Sequence, residues 1–214
     1  MNNLKICAVA LLLMIGIANV SAASFDCAKA SSKTEKAICT DPELSKLDED
    51  LAASYKEMLK LHPVPEYIKA RQRDWLSLNK FCDAKKLNEC LKKNYKEQIS
   101  RLQFNKNTQV YTSAKKFSYA GGDMVVEITP EISKISIWGG FAQHNLASQE
   151  QGKPVYTGCE FDGALKGKSM TTAIDDTVEI SFKIKNNMIE FDEGASEKMC
   201  AGFARIPANI QRVK

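Results

Sequence analysis

Val178-Glu179-Ile180-Ser181-Phe182-Lys183-Ile184-Lys185-Asn186-Asn187-Met188-Ile189-Glu190-Phe191 is the stretch on which the fold turns. Val178, Ile180, Phe182 and Ile184 alternate with Glu179, Ser181, Lys183 and Lys185, the two-residue period of a strand with one face buried. Asn186-Asn187 tolerates positive φ and suits a tight hairpin turn, after which Met188–Phe191 returns as a second strand. Further strands are expected at Met124–Ile128, Ser133–Trp138 and Tyr156–Phe161, with a last one near Ile206–Val213. Gly121-Gly122 and Gly139-Gly140 punctuate them. Residues 117–214 are therefore expected to form an antiparallel β domain, either a sheet or a small barrel.

Upstream the period changes. Residues 105–116 are polar and read as a linker, and residues 24–104 read as a small helical domain. Ser32-Lys33-Thr34-Glu35 is a capping box that opens a short helix to about Cys39. Thr40-Asp41-Pro42-Glu43 is expected to be a second box, with Asp41 and Pro42 in the first turn. The helix it starts carries Leu44, Leu47, Leu51, Tyr55 and Met58 on one stripe and ends near Leu61, because Pro63 and Pro65 cannot continue it. A third helix from Pro65 to Phe81 carries Ile68, Trp75 and Leu78. A fourth, with Asp83 as its expected N-cap, carries Leu87, Leu91, Tyr95, Ile99 and Leu102. The chain is thus expected to be α+β, in two domains.

Met1–Ala23 has one cation, Lys5, then an apolar run from Ile6 to Ile17 and the small residues Val20-Ser21-Ala22-Ala23. That order is expected of a Sec signal peptide cleaved after Ala22 or Ala23. The run is short for a membrane span, and Cys27 does not stand in a lipobox, so no stable membrane anchor is expected. Of seven cysteines, Cys7 would leave with the leader, and six remain in an oxidising periplasmic or secreted setting. Cys159 is expected to pair with Cys200. Cys27, Cys39, Cys82 and Cys90 cluster at one pole of the helical domain, where both local and crossed pairings remain open. Bridges there would supply a large share of the stability of about 80 residues. The leader takes one Lys and no acid, so a formal charge of +4 becomes +3. So weak a charge does not call for nucleic acid.

Candidate chemistry is sparse. Of the two histidines, His62 ends a helix and His144 lies in a loop, where a solvated role outweighs a catalytic one. No zinc motif and no nucleophile elbow occurs, so neither a metal site nor a cofactor is expected. Asp48-Glu49-Asp50, Asp175-Asp176 and Glu190-x-Asp192-Glu193 read as solvated faces rather than glycosidase pairs. Trp75 and Tyr55 read as core rather than sugar platforms. No catalytic residue is assigned.

The helical half nevertheless resembles a known family. Cys27, then Glu35-Lys36-Ala37-Ile38-Cys39, Leu47-Asp48 with Leu51 and Tyr55, Gln72-Arg73-Asp74-Trp75 with Cys82, and Cys90-Leu91 with Tyr95 and Ile99 resemble the LprI-type lysozyme inhibitor N-terminal domain. The likeness covers about 80 residues, under half the chain, and Asn79 and Gln98 stand where the family often has Arg. The resemblance implies a non-catalytic binding protein that inhibits lysozyme or a related cell-wall muramidase. Glu43, Glu49 and Asp50 are its candidate partner-binding residues, in an acidic run suited to a basic partner surface. An envelope enzyme or effector with its activity in the β domain, or a structural envelope module, is the alternative. The second half resembles small secreted β domains only loosely. It lacks the Ser-Gly-x-x-Tyr loop of other periplasmic lysozyme inhibitors, so inhibition would need another surface.

Overall fold

The computed structural model describes residues 23–82, 84–117, 123–143, 155–167, 169–172, 179–198, 206–207 and 209–213. Four helices lead: α1 (Lys33–Thr40), α2 (Pro42–Leu61), α3 (Pro65–Leu78) and α4 (Leu87–Arg101). Among the described residues eight antiparallel strands follow: β1 (Gln109–Thr112), β2 (Met124–Thr129), β3 (Lys134–Gln143), β4 (Val155–Lys166), β5 (Ser169–Thr172), β6 (Glu179–Lys185), β7 (Met188–Phe191) and β8 (Ile210–Arg212). A short helix, α5 (Ala195–Lys198), sits between the last two. The chain is α+β in two parts, as its two hydrophobic periods imply.

Local chemistry starts and stops the helices. Ser32 accepts from the Glu35 N–H, and Glu35 Oε2 accepts from the N–H groups of Ser31 and Ser32, so the capping box is complete. These bonds lower the Glu35 carboxyl pKa to about 2. The second expected box forms differently. Asp41 is itself the N-cap of α2, accepting from Glu43 and Leu44, with Pro42 behind it. Thr40 instead ends α1 and donates back to the Lys36 carbonyl, so its hydroxyl has no role at the next helix. Helix α3 stops at Leu78 and tightens into a 3-10 turn, Asn79–Phe81. Helix α4 begins at Leu87 behind Lys86, later than expected, and Asp83 lies outside the described residues.

The strands close into an up-and-down barrel, each pairing with its neighbour and β8 returning to β1 through Tyr111↔Arg212 and Thr112↔Gln211. Asn186 and Asn187 both adopt positive φ, 51° and 62°, and Lys185 faces Met188 across the turn. Such a two-residue loop matches the strand twist and sets the register. Inside the barrel lie Tyr111, Met124, Val126, Ile128, Ile135, Ile137, Ile180, Phe182, Ile189 and Ile210. Ile184, expected with this inward set, is exposed beside the turn at the end of β6.

The helices pack on the outside of β1–β3. One apolar core joins Leu44, Leu51, Met58, Tyr67, Ile68, Trp75, Leu91 and Tyr95 to Val110, Phe117, Val125 and Trp138. β1 thus lies inside the stretch expected to be a linker. Val110 packs toward the helices and Tyr111 into the barrel. Four residues flanked by polar turns are too few for a period to emerge, and the same brevity hid β5.

Two bridges, Cys27–Cys39 and Cys82–Cys90, take the local pairing. Cys200 and the Cys159 side chain lie outside the described residues, as do His144, Asp175, Asp176 and residues 1–22. No described helix is long and apolar enough to cross a membrane.

Candidate functional site

The acidic run proves to be largely tied up in pairs. Beyond capping α2, Asp41 receives Lys92 at 2.8 Å and the Asn88 amide at 3.1 Å. Glu43 bridges Lys92 at 2.9 Å and Lys96 at 2.8 Å. Lys92 beside Asp41, and Lys96 and Lys92 beside Glu43, hold both carboxyls below their usual values. Asp50 pairs with Lys46 one turn earlier, while Glu49 is exposed. Asp48 is buried and braces the fold. It accepts from the Ser24 N–H at 2.7 Å, the Ser24 hydroxyl at 2.6 Å and the Tyr95 hydroxyl at 3.2 Å. The candidate residues therefore share a helix without forming a patch of unpaired charge.

The pole braced by the two bridges presents a different surface. Phe81 is 83 % exposed at the end of the 3-10 turn after α3. Cys82–Cys90 ties the next residue to α4, and the exposed Leu76 lies one turn and a half back. Exposed Lys85 and Lys86 lead into α4. Behind the tip, Asn94 donates to Asn79 at 3.0 Å, and Gln98 donates to Gln72 at 2.9 Å. Asn79 and Gln98 are buried, so they are interior hydrogen-bonding groups rather than surface contacts. Trp75 stacks edge-on against Tyr95 at 5.0 Å, which is core packing. A phenylalanine outside the apolar stripe and next to a cysteine was the sequence signal for this tip.

Helices and barrel are joined by a buried polar network. The Val64 N–H donates to His62 Nδ1 at 3.0 Å, which leaves the ring proton on Nε2, aimed at Glu127 Oε1 at 3.2 Å. The Tyr67 hydroxyl donates to Glu127 Oε2 at 2.8 Å and accepts from Arg71 at 2.9 Å. Arg71 also pairs with Glu160, whose second oxygen lies 3.4 Å from Arg101. Burial opposes ionisation of Glu127. The His62 and Tyr67 hydrogen bonds and the Arg71 charge outweigh it, so its pKa is lowered. Burial also opposes the Arg71 charge, but Tyr67, Glu160 and Glu127 keep it protonated, its pKa raised above the usual guanidinium value. Burial, helped by Glu127, raises the Tyr67 hydroxyl well above its ordinary value. Every group has its partner, which a buried ionic cluster requires. The signal in sequence was one charge, Glu127, inside Met124–Ile128.

Beside this network a cleft of about 600 Å3 opens between the helical layer and the barrel. Arg71, Arg101, Lys106, Glu127, Lys134 and Ser136 carry its polar chemistry. Among the described residues no group of three or more His, Cys, Asp or Glu is placed to hold a metal ion.

No protein-family model, curated protein or solved structure matches the chain.

Proposed function

We propose that this chain is an exported, non-catalytic binding protein whose partner is lysozyme or a related cell-wall muramidase. The paired cysteines support export, because such bridges persist in oxidising compartments. The sequence resemblance of the helical half supports the partner class. The reading involves no cofactor, nucleic acid or stable membrane anchor.

The observation that carries the binding surface is Phe81. A phenylalanine that is 83 % exposed leaves apolar area in water that a partner can cover. The Cys82–Cys90 bridge fixes its position before binding, which lowers the ordering cost. Exposed Lys86, just ahead of α4, suits a glycosidase cleft, whose chemistry rests on a pair of carboxylates. The α2 acids suit it less, since Asp41 and Glu43 already hold lysines.

Muramidase lysis of cell walls, titrated with the whole mature chain, tests this reading. The wild type is expected to inhibit. Phe81→Ala is expected to weaken inhibition roughly thirtyfold, the ~2 kcal/mol of an aromatic anchor. Glu49→Lys with Asp50→Lys is expected to leave inhibition nearly unchanged. Loss in the acidic variant alone would move the surface to α2. No inhibition by the wild type would end the muramidase reading.

A further inference from the structure

We infer that the cleft between the helices and the barrel is a binding site for a sugar-sized anion, a polyhydroxylated molecule bearing one carboxylate or phosphate. This goes beyond a protein-binding role and rests on different residues. The volume, about 600 Å3, lies in the range of small-molecule sites and accommodates one or two sugar rings.

One buried oxygen points to a ligand. Ser136 lines the cleft, is 6 % exposed, and its hydroxyl has no hydrogen-bond partner. Asp162 stands directly across from it in the β3–β4 register, outside the cleft lining, its Oδ1 buried and in a long ion pair with Lys134. Nearly all buried polar atoms in folded proteins are satisfied, so a hydroxyl left open on a cleft wall is out of the ordinary. The rest of the network shows the contrast, since Glu127, His62, Tyr67 and Arg71 are all engaged.

The ligand's class follows from what surrounds that hydroxyl. Ser136 both donates and accepts, which suits a hydroxylated molecule. Three cations stand toward the mouth. Lys106 is exposed, Lys134 lies 3.9 Å from Asp162 Oδ1, and Arg101 lies 3.4 Å from Glu160. Neither measured pair is at charge-assisted hydrogen-bond distance, so both cations can turn to an incoming anion. Glu127, Glu160 and Asp162 offset Arg71 and part of this charge, which limits the ligand to a single anionic group. Ser100, Gln103, Asn105 and Thr108 on the wall add neutral hydrogen-bonding groups.

The test uses the whole mature chain, with amide chemical shifts followed during titration with three probes. Galacturonate carries a carboxylate, glucose 6-phosphate a phosphate, and galactose no charge. One or both anionic sugars are expected to bind and shift Ser136, Lys134 and Lys106, and the arm that binds identifies the anionic group. Galactose is expected to bind at least tenfold more weakly. Ser136→Ala removes the open hydroxyl, so it should leave the melting temperature unchanged or raised while weakening binding about tenfold. Lys134→Gln should weaken the anionic sugars and leave galactose as it was. Lack of binding by either anionic probe at about 10 mM, far above the Kd of a working site, overturns the inference. So does binding that ignores both substitutions, or galactose binding as tightly as the anionic sugars.

Discussion

Strands β2 and β6 turn the same kind of residue into the barrel and differ on their outer faces. In β2, Met124, Val126 and Ile128 point inward, while Val125 and Glu127 point outward under the helices and are covered. In β6, Ile180 and Phe182 point inward, while Lys183 and Lys185 stand in solvent. The inner period says only that a strand belongs to the barrel. The outer residues say whether a second layer covers it. A near-continuous apolar run marks a strand buried on both faces, and strict alternation marks one buried on a single face. The one charge within the covered run then has to find partners, and Glu127 finds them in His62, Tyr67 and Arg71, some 60 residues away in sequence.

The sharpest way to break this comparison is to remove a carboxylate from each arc. Glu127→Ala leaves Arg71, His62 and Tyr67 buried around a gap, and stranding one side of a buried ion pair costs about 3–5 kcal/mol. Glu190→Ala, at an exposed position of β7, should stay within about 0.5 kcal/mol. Urea unfolding of the two variants decides the matter. Equal small losses would mean that the network does not join the layers.

Next in size are the bridges that brace the covering layer. They close short loops, with sequence separations of 12 and 8. Loop-closure entropy gives each roughly 3 kcal/mol. Reduction should therefore lower the urea midpoint strongly. Protection of Leu91 and Tyr95 amides should fall with it, and that of Ile180 and Phe182 should fall less. A uniform loss across both sets would show that the covering layer and the bare arc unfold as one unit.

Acid should act on the covered arc as well. Glu127 and Glu35 both have lowered folded-state pKa values, the latter about 2, against roughly 4.3 for an unfolded Glu. Both therefore stabilise the fold above about pH 4.3, and that contribution is lost as pH falls through the folded values. Glu127→Gln should flatten part of this acid limb in the urea midpoint, and Glu35→Gln the part nearest pH 2. An unchanged limb in Glu127→Gln would remove that carboxyl from the linkage.

The same contrast explains what could be read in advance. The β6–β7 hairpin was legible because its period is long, its outer face is bare and its turn residues are local. The α2 and α4 stripes were legible for the same reason, and so was the box at Ser32 and Glu35. The β1 and β5 strands were too short to show a period. The joint was hidden because each group looks ordinary alone. His62 reads as a helix end, and Arg71 carries no motif, until the barrel brings Glu127 and Glu160 to them. Glu43, Glu49 and Asp50 read as one acidic face because α4, which delivers Lys92 and Lys96, lies some 50 residues on. The open hydroxyl of Ser136 leaves no sequence trace, since satisfaction is a property of neighbours.

The smallest expected effect lies on the bare arc, where local chemistry has to do what burial does elsewhere. The outer face of β6 offers little to specify its register against β7, so the turn carries more of that work. Asn187, at φ 62°, holds the second central position. Asn187→Val places a β-branched residue in the left-handed region and should cost about 1–2 kcal/mol. Asn187→Gly should stabilise by only a few tenths, because relief of strain is partly cancelled by the freer unfolded chain. Exchange at the Glu190 amide, opposite Lys183 in a hydrogen-bonded position of the register, reports local opening of this hairpin. It should speed up in the valine variant while amides of β2 stay as they were. If Asn187→Val changes nothing, or opens β2 equally, then the register of the bare hairpin is set by the barrel as a whole and not by its turn.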